Sequence, residues 1–127
     1  MADKLTLALV ATHTNAAGST TYLTKDFALK AAIESSPDEV HYQLLECATG
    51  GSTLGITHFA SVNYLIVRNL DGANFVTLSW DDAAADTEDI VIAAGKIAVI
   101  PDIDPSATCS LTADTAAVLC EVLVDGS

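Results

Sequence analysis

Three histidines, three cysteines and an acidic loop are the only side chains whose types invite a chemical reading. His13, His41 and His58 lie far apart, and none sits in an H-E-x-x-H or related zinc-ligand spacing. Their neighbours, Thr12, Thr14, Val40, Tyr42, Thr57 and Phe59, place each of them on a strand rather than in a metal cage. Cys47, Cys109 and Cys120 are odd in number and form no C-x-x-C pair, which reads as reduced, buried thiols, with Cys109 and Cys120 close enough in sequence to face each other across a hairpin. Thr49-Gly50-Gly51-Ser52 lacks the lysine of a phosphate-binding loop and reads as a link between strands. The run Asp81 to Asp89 gathers five carboxylates, which could hold calcium, but its spacing is not that of an EF-hand and its alanines offer no ligand. A solvated loop is the plainer reading. Asp102 and Asp104, between Pro101 and Pro105, read as a stiff solvated connector. No serine stands in a G-x-S-x-G elbow, and no Cys and His can be paired from their positions. The sequence therefore assigns no catalytic residue, no cofactor and no metal.

The elements that carry these residues are strands. Short runs of Val, Ile, Leu, Thr and aromatics recur between Gly, Asp, Asn, Pro and Ser, as in a sandwich or barrel. Candidate strands are Leu5–Thr12, Thr20–Thr24, Val40–Cys47, Gly55–Ala60, Val62–Leu70, Ala73–Trp80, Asp89–Ala93, Lys96–Ile100, Cys109–Thr112 and Ala117–Val124, with the pieces flanking Gly95 readable as one bent strand. The expectation is an all-β, antiparallel, jelly-roll-like β-sandwich of about eight to nine strands with little helix. Residues 1–127 are read as a single domain. Asp26 to Ser36 fits a helix or a strand equally, and Pro37 ends it either way. Leu5, Leu7 and Leu9 alternate as in a strand, so the first residues read as structure rather than as a signal peptide.

Asp71-Gly72 joins two β-rich runs and predicts a two-residue hairpin with positive φ at Gly72. The strand before it, through Tyr64, Leu65, Ile66 and Val67, is apolar on both faces, as a central strand is. The strand after it places Val76, Leu78 and Trp80 on one face, which puts the indole in the core. Ala117 to Val124 is also apolar on both faces, and belongs in the middle of a sheet or under a neighbouring subunit.

With 50% apolar and only 17% charged residues, either much of the surface is Thr, Ser, Asn and Ala or part of it is buried against other copies or partners, and the second option hints at assembly. The 17 acidic and 5 basic residues give a net charge of −12, and the cations Lys4, Lys25, Lys30, Arg68 and Lys96 are scattered. Nucleic acid is disfavoured as a partner, and an anionic membrane surface with it. No apolar run is long enough to span a bilayer.

Three segments carry a resemblance. Arg68-Asn-Leu-Asp-Gly-Ala-Asn-Phe-Val76, Ile90-Val-Ile-Ala-Ala-Gly-Lys-Ile-Ala-Val-Ile-Pro101 and Leu111-Thr-Ala-Asp-Thr-Ala-Ala-Val-Leu-Cys-Glu-Val-Leu-Val124 resemble small virion structural proteins of tailed bacteriophages. Ala94-Gly95-Lys96 stands where that pattern has a Pro-Gly-acidic turn. The resemblance implies a non-enzymatic capsid decoration or auxiliary head protein, or a tail or neck component, located in the virion after synthesis in the host cytoplasm. It implies contacts with major capsid or other virion proteins and with other copies, a trimer first and a dimer second. The alternative is a carbohydrate-binding β-sandwich module, in which Trp80 would line a platform with Tyr22, Tyr42 or Tyr64.

Overall fold

The computed structural model describes residues 5–8, 10–26, 33–35, 39–81, 87–104 and 108–127. All regular structure among them is β, and the chain divides into two compact units, Met1–Ser36 and Pro37–Ser127, where the sequence suggests one. The boundary falls at the proline that closes the ambiguous segment.

In the first unit, β1 (Leu5–Leu7) pairs antiparallel with β4 (Ile33–Ser35), and β2 (Val10–Thr14) with β3 (Thr21–Asp26). The expected strand Leu5–Thr12 is thus two strands. Asn15 turns the chain between β2 and β3, its Oδ1 accepting from the backbone N–H groups of Ser19 and Thr20 at 2.9 and 3.2 Å. Of the segment readable as helix or strand, Ile33–Ser35 is a strand, and residues 27–32 and 36 lie outside the described residues.

The second unit holds β5 (Glu39–Cys47), β6 (Ser52–Thr53), β7 (Val62–Asn69), β8 (Val76–Asp81), β9 (Thr87–Ile92), β10 (Ile97–Pro101), β11 (Cys109–Ala113) and β12 (Val118–Gly126). One sheet runs β10-β7-β12-β5 and the other β6-β11-β8-β9, antiparallel throughout. Counted from β5 as the first of eight, the orders are 6-3-8-1 and 2-7-4-5, in which the chain changes sheet between most consecutive strands. This is the eight-stranded jelly roll of two Greek keys. Both strands that are apolar on two faces, β7 and β12, lie inside the first sheet, as their patterns require.

Period-two alternation sends one side of every strand inward. Leu65, Val67, Val118, Cys120 and Val122 from the first sheet meet Val76, Leu78, Ile92, Cys109 and Leu111 from the second, all buried, with Trp80, Ile90 and Ile100 packed at the margin. Each fully buried Leu or Val contributes about 1.5–3 kcal/mol relative to exposure. The apolar run Gly55–Ala60, expected as a strand, is a loop instead, which sends Ile56 and Phe59 into this core.

The expected Asp71-Gly72 hairpin does not form. β7 and β8 belong to different sheets, so their link crosses the sandwich and cannot be a two-residue turn. Asn69 is wholly buried, its Nδ2 donating to the carbonyls of Asn74 (2.9 Å) and Ile92 (3.0 Å) and its Oδ1 accepting from Asp71 N–H (2.8 Å). Asp71 Oδ1 accepts from the N–H groups of Ala73 (2.7 Å) and Asn74 (2.6 Å). These side chains take over the turn, and Gly72 is not among the positive-φ residues. Nothing lies within 4 Å of a Cβ built on Gly72, so Gly72→Val should move the urea midpoint by no more than about 0.5 kcal/mol equivalent. The pieces flanking Gly95 likewise separate into β9 and β10 of opposite sheets, with Lys96 N–H donating to Ala93 C=O across the turn at 3.0 Å.

The backbone N–H groups of Asn74 and Ala73 hold the Asp71 carboxyl below its ordinary pKa. A carboxyl depressed in the folded state stabilises above the ordinary carboxylate range, and that contribution disappears as pH falls through the folded value. Asp71→Asn should therefore lower stability at neutral pH, and its deficit relative to the parent should shrink as pH falls below the ordinary carboxylate range, as urea unfolding across that range will show.

Candidate functional site

The residues with chemical potential do not converge. His13 is an exposed residue of β2, in the first unit. His41 of β5 and His58 stack with ring centroids 4.8 Å apart, and Phe59 packs against both at 5.2 and 4.1 Å. Sequence spacing carries no sign of this pairing, which depends on the 54–61 loop folding back on β5. Among the described residues no three His, Cys, Asp or Glu side chains are grouped as metal ligands. Beside the rings a cavity of about 490 Å³ opens between the sheets at the β5 edge, lined by Gln43, Leu45, Leu54, Ile56, Phe59 and Val124 among others.

The Thr49–Ser52 segment is a turn entering β6, with Ser52 Oγ accepting from Ala48 N–H at 3.1 Å. Most of the acidic loop lies outside the described residues, at 82–86. Its ends are joined by Thr87 Oγ1 donating to Asp81 Oδ1 at 2.9 Å. In the expected connector, Asp102 adopts φ 59° and donates its N–H to Asn63 C=O, while Ile103 is buried as part of the core. Residue 105 lies outside the described residues.

All three cysteines are buried and free. Cys109 and Cys120 do not face each other across a hairpin, because β11 and β12 lie in different sheets. Cys47 is the neighbour of Cys120: it pairs in register with Val118, one step diagonally from Cys120, and the two thiols share a hydrogen bond. The Cys47 sulfur and burial both push the Cys120 thiol up, and burial pushes Cys109 up to about 11. Protonated, enclosed thiols are poor nucleophiles. A thiol-reactive disulfide reagent should label none of the three in the native protein and all three in denaturant, and fast native labelling would contradict their burial.

The two outer faces of the sandwich differ sharply. On the β6-β11-β8-β9 sheet the outward positions are Thr77, Ser79, Ser110, Thr112, Thr87 and Asp89, with Val91 the one large apolar exception among the described residues, at 61% exposure. The β10-β7-β12-β5 sheet instead turns apolar side chains outward. Register sets Leu44, Glu121, Arg68 and Ile97 in one row and Tyr42, Leu123, Ile66 and Val99 in the next. Tyr42 and Leu44 are each 58% exposed, Ile97 56% and Leu119 44%. Glu121 is the charge at the middle of the face and is answered within it, accepting from Tyr42 Oη at 2.8 Å and facing Arg68 Nη1 at 3.7 Å. That hydrogen bond raises the Tyr42 pKa. A shallow hollow of about 240 Å³ lies among these residues.

The expected sugar platform is not assembled: Trp80 points into the sandwich from one sheet, whereas Tyr42 and Tyr64 belong to the outer face of the other. The Tyr22 side chain lies outside the described residues.

Fold and surface together define an eight-stranded jelly roll with one polar and one apolar outer face. Comparison with known protein families, with curated proteins and with solved structures found no match.

Proposed function

We propose that the chain is a non-enzymatic structural subunit of a bacteriophage particle, a capsid decoration or auxiliary head protein that acts through protein–protein contacts. The observation that carries this reading is the apolar outer face of the β10-β7-β12-β5 sheet, because exposed contiguous apolar surface marks an interaction site. Three further points support it. The residues that resemble phage virion proteins form the links and strands on which the jelly roll depends, from Arg68 through the cross-sheet link to Val76 and from Leu111 to Val124. Viral capsid domains commonly have this architecture, a likeness of fold alone. A net charge of −12 suits contact with protein better than with phosphate backbones.

In this reading the partners are other copies and neighbouring virion proteins, and the protein resides in the particle after synthesis in the host cytoplasm. Mass spectrometry of purified particles, followed by electron microscopy, tests it. The expected result is density for the jelly roll in repeated copies on the head. Density on the neck or tail would keep the structural role and move its place, and absence from complete particles would overturn it.

A further inference from the structure

A chain carrying −12 can bring two copies together only where like charges are few. The polar outer sheet does not offer this, with Asp81 of β8 and Asp89 of β9 at its outward positions. The apolar face does. Its central Glu121 is paired with Arg68, and the other acidic groups at its strands' outward register positions are Glu46, on β5 beside Leu119, and Asp125, which is buried.

The face is also large enough. Four strands about 4.8 Å apart and about eight residues long give roughly 500 Å² per copy, or roughly 1,000 Å² for two, the lower bound for a specific interface. A basic partner would be drawn to the acidic surfaces rather than to a neutral apolar one. A second copy presents the same apolar chemistry.

Charge placement fixes an orientation. Glu121 on β12 and Arg68 on β7 stand side by side at the centre of one outward row, with Leu44 at its β5 end and Ile97 at its β10 end. A two-fold axis parallel to the strands lays the β5 edge of one copy over the β10 edge of the other. It thereby sets each Glu121 over the other copy's Arg68 and each Leu44 over the other copy's Ile97.

We infer that two copies of the chain pack their β10-β7-β12-β5 faces together about a two-fold axis along the strands, burying Tyr42, Leu44, Ile97 and Leu119 and laying each Glu121 over the other copy's Arg68. The inference rests on the reading of the chain as an assembly subunit. A patch that meets itself closes as a pair, which favours the dimer over the trimer.

Sedimentation equilibrium of the whole chain tests the inference. The parent should be dimeric, and more tightly so as salt screens the net repulsion between copies. Leu44→Lys and Leu119→Lys should each weaken association about tenfold or more, whereas Val91→Lys, the same change on the other sheet, should leave it unaltered. Ile97→Lys, which would face Leu44 of the other copy, should weaken it likewise; circular dichroism confirms the fold of each variant. A parent that stays monomeric at high concentration overturns the inference, as does an oligomer indifferent to Leu44→Lys and Leu119→Lys. If such an oligomer is nonetheless found in particles, this interface fails and the structural role stands. A dimer that behaves as expected but is absent from particles supports the interface and overturns the virion role.

Discussion

Gly126→Ala should destabilise the jelly roll by about 3 kcal/mol, the upper end of what overpacking usually costs. The added Cβ would overlap the Ser61 carbonyl oxygen and press on Phe59, whose Cδ1 would be 2.8 Å away. Neither can retreat cheaply. Ser61 C=O accepts from Ser127 N–H at 3.0 Å, Ser61 N–H and Ala60 N–H both donate to Ser127 C=O, and the Ser61 and Ser127 hydroxyls lie 2.8 Å apart. Phe59 is buried against His41 and His58. The ladder between β12 and β7 shifts register at Asp125/Gly126 to admit this knot. Urea unfolding measures the effect, and an unchanged midpoint would show that β12 does not close on the 59–61 segment in solution.

Asn69→Ala should cost a similar amount, about 3 kcal/mol, because it strands three buried or half-buried backbone groups at once. The carbonyls of Asn74 and Ile92 lose their donor and Asp71 N–H loses its acceptor. Ile92 ends β9 and Asn74 precedes β8, so one amide ties a strand of the first sheet to two of the second. Asn69→Asp should fare little better, since an ionised carboxylate has no hydrogen to offer either carbonyl. Hydrogen exchange in 70–75 and 92–96 should accelerate in both variants ahead of the rest of the domain. Uniform acceleration would mean that Asn69 supports the core generally and not these links.

Strand identity is legible wherever period-two alternation is strong. The pattern at Val118, Cys120, Val122 and Val124 needs no partner to be read, and the bounds of β5, β7, β8 and β10 fall within a few residues of those the alternation suggests. Pairing is not legible, because it is decided between residues far apart. Asp71-Gly72 carries the local chemistry of a hairpin, yet Asn69 and Asp71 commit their side chains to a crossing link. The apolar run at Gly55–Ala60 has the composition of a strand but buries Ile56 and Phe59 from a loop. The outer face is half visible: two-sided apolar patterns in β7 and β12 imply cover on both sides. That Tyr42, Leu119 and Ile97 share that face follows only from the register.

The pairing of β5 with β12 has a consequence for how the domain is made. β5 leaves the ribosome without its one neighbour in the sheet, which follows about 70 to 90 residues later. Until then a nine-residue strand with Val40, Tyr42 and Leu44 stands open, a template for any other extended chain nearby. The first sheet can therefore close only after synthesis has passed β12. Crowded nascent chains, as on a polysome producing many copies, face a choice between waiting for their own β12 and borrowing another's.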